Sequence, residues 1–496
     1  MILGFLINIP VLQIRAEETN QNAGFAEEMG GYAIQGCLTI IMQGNTYSAS
    51  DCVAFENSLE ATGNGYSSFA RYGWTENSST PSTQRVTEDE FKLSRFAHVA
   101  YYSGHGGTYW NSSRYPVLNC WATNSYGTSS AFNVATALGV AGENWETSCT
   151  IQPNDNLRVM VLASCLQLDS SIVKYYARVM KASSVRAVVG YHDIAPSVGD
   201  DTIATDFIQY SDEGSAIIAA WQYANPGQNW AVLELADDLN NDNQTVYMPG
   251  FPARIYEEPS SAASVYRYAN FLTIPREEST DSNGSKQKAA YSLPLTITTS
   301  TATSNALDKE SLAEYSRDAY WSGESVSDDD SALVALLDTK FDQDITDSIC
   351  VQHKVTRETI DADIGVVSDS EVVLQRTYSY YDTYNGVKIV DSFVRGSIDS
   401  RGVNNVSVQK KAVTFAGTSI AQMTASSKDG VELISESTAL KLILEDHECI
   451  CNSELYALAL AYVPDGNGQH VLCYEFMFSS GFQYVNVVTG EIIHVQ

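Results

Sequence analysis

Four stretches of this chain are apolar at nearly every position for the length of a strand, and that continuity restricts the fold more than any other feature. They are "YAIQGCLTII" (32–41), "AHVAYYS" (97–103), "LRVMVLAS" (157–164) and "VRAVVGY" (185–191). A strand with one wet face alternates apolar and polar residues, whereas a strand apolar throughout must be covered on both sides. Between these runs lie segments of helical period, "SASDCVAFENSLEATG" (48–63), closed by Gly63, and "LDSSIVKYYARVMKAS" (168–183). From Gly31 to about Glu257 the pattern predicts a mostly parallel α/β sheet sandwiched by helices. Sheets of this type bind ligands beyond the carboxyl ends of their strands.

Two chemically distinctive residues stand at such ends. In "HVAYYSGHGG" (98–107) His105, one of only seven histidines, sits between glycines just past a strand. In "LRVMVLASCLQLDSS" (157–171) Cys165 follows the next long apolar run. A cysteine attacks a carbonyl only as thiolate, so it needs a base nearby. The sequence places Cys165 at the start of a helix, whose N-terminus would stabilise negative charge on sulfur and hold a developing oxyanion. The alternative is a small-residue turn beside an inert buried cysteine.

These two motifs resemble those of the clan CD cysteine peptidases, the caspases, metacaspases, gingipains and their bacterial relatives. There an apolar strand ends in a "GHG" or "SHG" turn, and the following strand ends in the nucleophilic cysteine. "YYSGHGG" is similar to the metacaspase and gingipain form, and "VMVLASC" to the second strand. The resemblance spans about residues 32–257 and implies a caspase-like fold. It implies His105 as general base and acid and Cys165 as nucleophile. The oxyanion hole would be the backbone N–H groups of Gly106 and Cys165, with no metal or cofactor. Metacaspases usually carry an aspartate two residues before the cysteine, where this chain has Ala163, so their basic P1 preference does not transfer. A family contributor to the S1 pocket lies in the loop opening the first helix, here "TYSASD". That makes Asp51 a candidate substrate-binding residue for a basic P1 side chain, or else simply an N-cap. "GYHDIAPSVGDD" also reaches the carboxyl edge, with His192, Asp193, Asp200 and Asp201 in a loop or along the pocket.

At 496 residues the chain is long enough for two or three domains. Sixty acidic against twenty-nine basic residues give a formal charge of −31, which disfavours nucleic acid and anionic lipid and suits a secreted protein acting on peptides. Residues 1–16 have the apolar run of a signal peptide without the basic residues that normally precede it, which reads as a truncated signal peptide, with an ordinary buried segment as the alternative. Nine cysteines could pair four and four within two domains, leaving Cys165 as the odd, reactive one.

Beyond a polar stretch at 258–300, read as linker, the texture becomes β-rich, with an Asn-Gly pair at 385–386 signalling a hairpin. "YNGVKIVDSFVRGSIDSRGVNNVSV" resembles the propeptide module of thermolysin-like peptidases, over 301–425. The segment ending "YVNVVTGEII" resembles the PepSY module that follows it, over 426–496. The resemblance implies a separate α+β region that inhibits a peptidase or assists its folding. No "HExxH" is present, so the peptidase restrained would be residues 32–257, as an intramolecular partner. A chain ending near Glu257 would then be faster than the full one. A β-rich binding or adhesion module is the rival, and a catalytically inactive caspase-fold binding protein is the rival for the whole. His447, Cys449, Cys451, His470 and Cys473 form a soft-ligand cluster whose tight spacing favours disulfides or packing over zinc.

Overall fold

The computed structural model describes residues 37–43, 48–72, 86, 88–119, 131–196, 200–237, 246–251, 260, 262–273, 289–290, 292–306, 325–341, 343–400, 402–419, 421, 432–446, 455–478 and 481–493. The protein is a mixed α/β molecule with a body that is mostly sheet. The leader-like residues 1–16 lie outside the described residues.

The first half is built on strands β1 (Leu38–Gln43), β2 (Ser67–Tyr72) and β3 (Val99–Ser103). A small antiparallel sheet follows, of β4 (Gly106–Trp110), β5 (Ser113–Asn119) and β6 (Ala131–Asn133). The main sheet then continues with β7 (Val159–Ala163), β8 (Ala187–Tyr191) and β9 (Trp230–Ala236). The spatial order is β2-β1-β3-β7-β8-β9, parallel except for β9. Every residue of β3, β8 and β9 is buried, as continuous apolar runs require. Helices α1 (Ala49–Ala61), α3 (Asp200–Asp212) and α4 (Ile217–Ala224) cover one face, where Phe55, Phe207 and Trp221 pack against Tyr101, Val161 and Val189. Helix α2 (Val173–Ala182) covers the other, with Tyr176 and Met180 against Met160 and Leu162. Gly63 has φ +72, the left-handed conformation that ends α1 as its sequence signalled.

The stretch read as linker is not one. Residues 264–273 form β10, antiparallel to β9 on one side and to β12 (Ile349–Asp361) on the other. Polar residues at 258–260 and 276–286 concealed an apolar core, "VYRYANFL", that has to be buried. The sheet therefore runs unbroken into the second half, and the C-terminal region is not separate from the first.

That half contains β11 (Thr296–Ala306), β13 (Gly365–Val366), β14 (Val372–Tyr384), β15 (Val387–Asp399) and β16 (Gly402–Ala416). It ends with β17 (Leu455–Pro464), β18 (Gln469–Phe478), β19 (Gly481–Asn486) and β20 (Ile492–Ile493). Asn385 and Gly386, with φ of 51° and 76°, form the two-residue turn between Tyr384 and Val387, as the Asn-Gly signal predicts. Helix α5 (Ser331–Phe341) seats Leu333 against Gly396, where a Cβ would come within 2.4 Å of the leucine. Helix α6 (Glu436–Asp446) packs Ala439 and Ile443 on β17 and β18. The expected boundary near 425 is crossed twice, since β11 pairs with β18 and β15 pairs with β17.

At the joint between the halves, Glu234 of β9 is fully buried, and burial raises its carboxyl to about 8. One oxygen accepts the Val246 N–H at 2.7 Å; the other makes no hydrogen bond among the described residues. A carboxyl raised in the folded state favours folding fully below its unfolded value, near 4.5, and that contribution is lost as pH rises to about 8. Glu234→Gln should therefore flatten the decline of thermal stability between these limits, gaining on the order of 3 kcal/mol at pH 7. Equal slopes for both proteins in pH-dependent melts would refute this.

A chain ending at Glu257 would leave β9, apolar on both faces, as an unpaired edge. The expected outcome is aggregation or loss of the cooperative transition, checked by gel filtration and circular dichroism. A monomeric, cooperatively melting short chain would show that β10 and β12 are dispensable.

Candidate active site

Strands β3 and β7 are parallel neighbours, with Ser103 opposite Ala163. Two residues further along each lie His105 and Cys165, past the carboxyl ends of the two strands. The strand ends stay joined past the last pair, because Gly104 N–H donates to the Ala163 carbonyl at 3.3 Å. His105 is exposed, and its carbonyl accepts the Tyr102 hydroxyl at 3.1 Å. Gly106 lies directly against the cysteine turn. A Cβ there would meet the Cys165 carbonyl at 2.5 Å, Gln167 Nε2 at 2.6 Å and Ser164 Oγ at 2.8 Å. Only glycine permits this approach.

The expected helix start at Cys165 is not found. Helix α2 begins at Val173, and residues 165–168 form a turn. A helix terminus acts only over its first turn, so it cannot stabilise this sulfur. The turn supplies a different donor: the Ala195 N–H points at Cys165 Sγ at 3.3 Å. A hydrogen bond to the sulfur favours its anionic form. Cys165 is buried, with 7% of its surface exposed.

The turn is held from several directions. Leu166 adopts φ +62, a left-handed conformation costing about 1–2 kcal/mol in a residue with a Cβ. Its N–H donates to the Asp193 carbonyl at 2.8 Å, and the Leu168 N–H donates to Tyr191 O at 2.9 Å. Gln167, wholly buried, donates to Val117 O at 3.0 Å and to Cys165 O at 3.2 Å. Its side-chain oxygen accepts the Tyr176 hydroxyl at 2.6 Å. Sequence reasoning missed Gln167. A glutamine inside "SCLQL" between two buried segments was the available signal, because a buried amide must find partners.

Other expected residues lie where they do different work. Asp51 has no exposed surface. Its carboxylate accepts the Ser103 hydroxyl at 2.7 Å and the Ser50 hydroxyl at 3.1 Å, so it braces the β3 end beneath His105. Nor is it the N-cap, which is Ser48. His192 is buried, with Nε2 donating to Asn270 O at 2.7 Å; burial and then the nearby Arg267 lower it to about 4, so the ring is neutral. Asp193 serves the turn through its carbonyl, and Asp201 is an exposed residue opening α3; the Asp200 side chain lies outside the described residues.

The described cysteines, Cys37, Cys52, Cys149, Cys165, Cys350 and Cys473, are thiols, so the expected pairing of four and four is not formed among them. Burial pushes the Cys149 thiol up to about 11 and that of Cys350 to about 12, leaving both inert near neutrality. In the soft-ligand cluster, His447, Cys449 and Cys451 lie outside the described residues. His470 meets Asp391 at 2.6 Å, and Cys473, three residues along the same strand, faces the opposite way. No group of three metal-binding side chains occurs among the described residues.

No protein-family model matches the chain, and no curated protein matches it. Among solved structures it is similar to the Bacillus megaterium YpeB C-terminal domain at 15% identity, covering 35% of this chain and 98% of that one. The TM-score is 0.18.

Gly106→Ala drives a methyl into the Cys165 carbonyl, whereas a Cβ at Gly107 meets nothing within 4 Å. Gly106→Ala should slow alkylation of Cys165 by about tenfold or more, since small displacements of reacting groups have large effects. Gly107→Ala should leave it unchanged. Mass-spectrometric labelling rates check both, and equal rates would mean that the two loops do not meet as described.

Proposed function

We propose that the protein is an exported cysteine endopeptidase working through Cys165 and His105. The observation that carries this reading is the pairing of β3 with β7, which ends at Ser103 opposite Ala163, each two residues before His105 and Cys165, at the carboxyl edge of a covered, mostly parallel sheet. A sheet of this kind, with histidine and cysteine on adjacent strand ends, is what the resemblance to clan CD peptidases implies. The Ala195 N–H at the sulfur and the glycine contact at 106 support it. Export rests on the leader-like residues 1–16 and the acidic charge; no described helix is long and apolar enough to cross a membrane.

In this mechanism His105 takes the proton of Cys165, and the thiolate adds to the scissile carbonyl. The negative oxygen is received by the backbone N–H groups of Gly106 and Cys165. Collapse of the adduct breaks the C–N bond as His105 passes the proton to the departing amine, leaving a thioester. Water, giving a proton to His105, then releases the carboxylic acid and restores the thiol. No step calls for a metal or cofactor. Asp51 supports the His105 strand end in this scheme, and a basic P1 preference through Asp51 would need the Ser103 contact to open. The formal charge of −31 favours encounter with basic peptides at low salt. The C-terminal half enters as part of the same sheet.

Cys165→Ala should abolish peptide hydrolysis while changing stability by about 1 kcal/mol or less, because one sulfur leaves only a small void. His105→Ala should lower turnover by about 100-fold or more while substrate still binds. Neutral-pH iodoacetamide should label Cys165 ahead of Cys149 and Cys350. A full-length protein in which Cys165 is modified no faster than those two would favour the inactive binding protein instead.

A further inference from the structure

The last residue of the cysteine turn is tied to the C-terminal half. The Leu168 carbonyl accepts a hydrogen bond from Arg267 Nη1 at 3.1 Å. Arg267 is on β10, is 3% exposed, and stands directly opposite Glu358 of β12. Its Nε and Nη2 both reach Glu358 Oε2, at 2.7 Å and 2.6 Å. One guanidinium thus spends its fork on a carboxylate and its remaining nitrogen on the turn. The arrangement is specific to arginine, because an ammonium offers no planar set of donors.

A second connection runs parallel to the first. Arg178 of α2 donates to Ala362 O at 2.7 Å and to Val140 O at 2.9 Å, and Asp363 accepts the Trp145 indole N–H at 3.2 Å. A Cβ on Gly365 would lie 3.7 Å from the Ser170 carbonyl. The β12–β13 hairpin therefore sits on the segment that links the cysteine turn to α2.

We propose that Arg267, oriented by Glu358, is a positioning residue for Cys165. By holding the Leu168 carbonyl from the second half, it keeps the turn where the Ala195 N–H meets the sulfur. This rests on the reading of Cys165 as the nucleophile. On this view the C-terminal half completes the catalytic site, in place of the inhibitory role that the propeptide resemblance implied.

The test uses the full-length protein and the rate of Cys165 alkylation by iodoacetamide as a function of pH. Removing one charge would strand the other in the interior, so the main variant is Arg267→Met/Glu358→Met, an apolar replacement of a kind buried ion pairs often tolerate. Arg267→Lys is the second variant; it keeps a charge against Glu358 but loses the fork that reaches Leu168. Both should react about tenfold more slowly at pH 7, with the rate profile displaced upward by about one pH unit as the thiolate loses its donor. Cys149 and Cys350 should be modified as in the wild type, and thermal midpoints should stay close to it. A wild-type rate and pH profile in either folded variant overturns the proposal. A wild-type protein in which Cys165 shows no selective reactivity removes the nucleophile reading, and this proposal with it, so the two failures are told apart.

Discussion

The insertion of β10 between β9 and β12 is the constraint on which both halves depend. β9 is buried along its whole length, so it cannot end a sheet in water without exposing an apolar edge. β10 satisfies it on one side and presents its own other edge to β12, from which the antiparallel strands continue. The backbone hydrogen bonds of the first half are thus completed only by the second. Folding of the two halves must be coupled, because neither has a natural stopping edge at the join.

Polar groups buried near this join show how closely it is specified. Arg267 meets Glu358 as a cross-strand pair, and Glu234 lies one strand away with a single side-chain hydrogen bond among the described residues. Deeper in the second half, Lys388 pairs with Glu475 while its ammonium lies over the rings of Phe482 and Tyr381, at 4.2 Å and 4.7 Å. Such groups add little net stability, since desolvation offsets most of the attraction. A slip of one residue, however, would leave the charges of Arg267, Glu358, Lys388 and Glu475 unpaired inside the sheet. Their contribution is to register, and the register of β10 places Arg267 under the cysteine turn.

The turn itself has no regular secondary structure to rely on. Its geometry is imposed by contacts from five places: Val117, Tyr176, the 191–195 segment, Gly106 and Arg267. The left-handed Leu166 is held within that set. A strained residue persists when its surroundings over-determine it, which also keeps the sulfur in one place. The position of the Cys165 sulfur is therefore a property of the whole α/β sheet and its neighbour.

The sequence by itself determined the covered parallel sheet, since runs such as "VAYYS" and "VMVLA" have no stable alternative to burial on both faces. It also determined the Asn385-Gly386 hairpin, where both residues must take positive φ. Those are local properties, set by side-chain size, polarity and backbone freedom within a few residues. Tertiary structure alone decided that 264–273 is a strand, because its "EEPSSAAS" and "REESTDSNGS" flanks look like linker and its partners are β9 and β12. It alone decided that Cys165 opens a turn and not a helix, since the competing hydrogen bonds come from Asp193, Tyr191 and Gln167. And it alone brought Arg267 to Leu168, ninety-nine residues apart, because strand pairing at long range depends on which edges remain unsatisfied and leaves no periodicity in the chain.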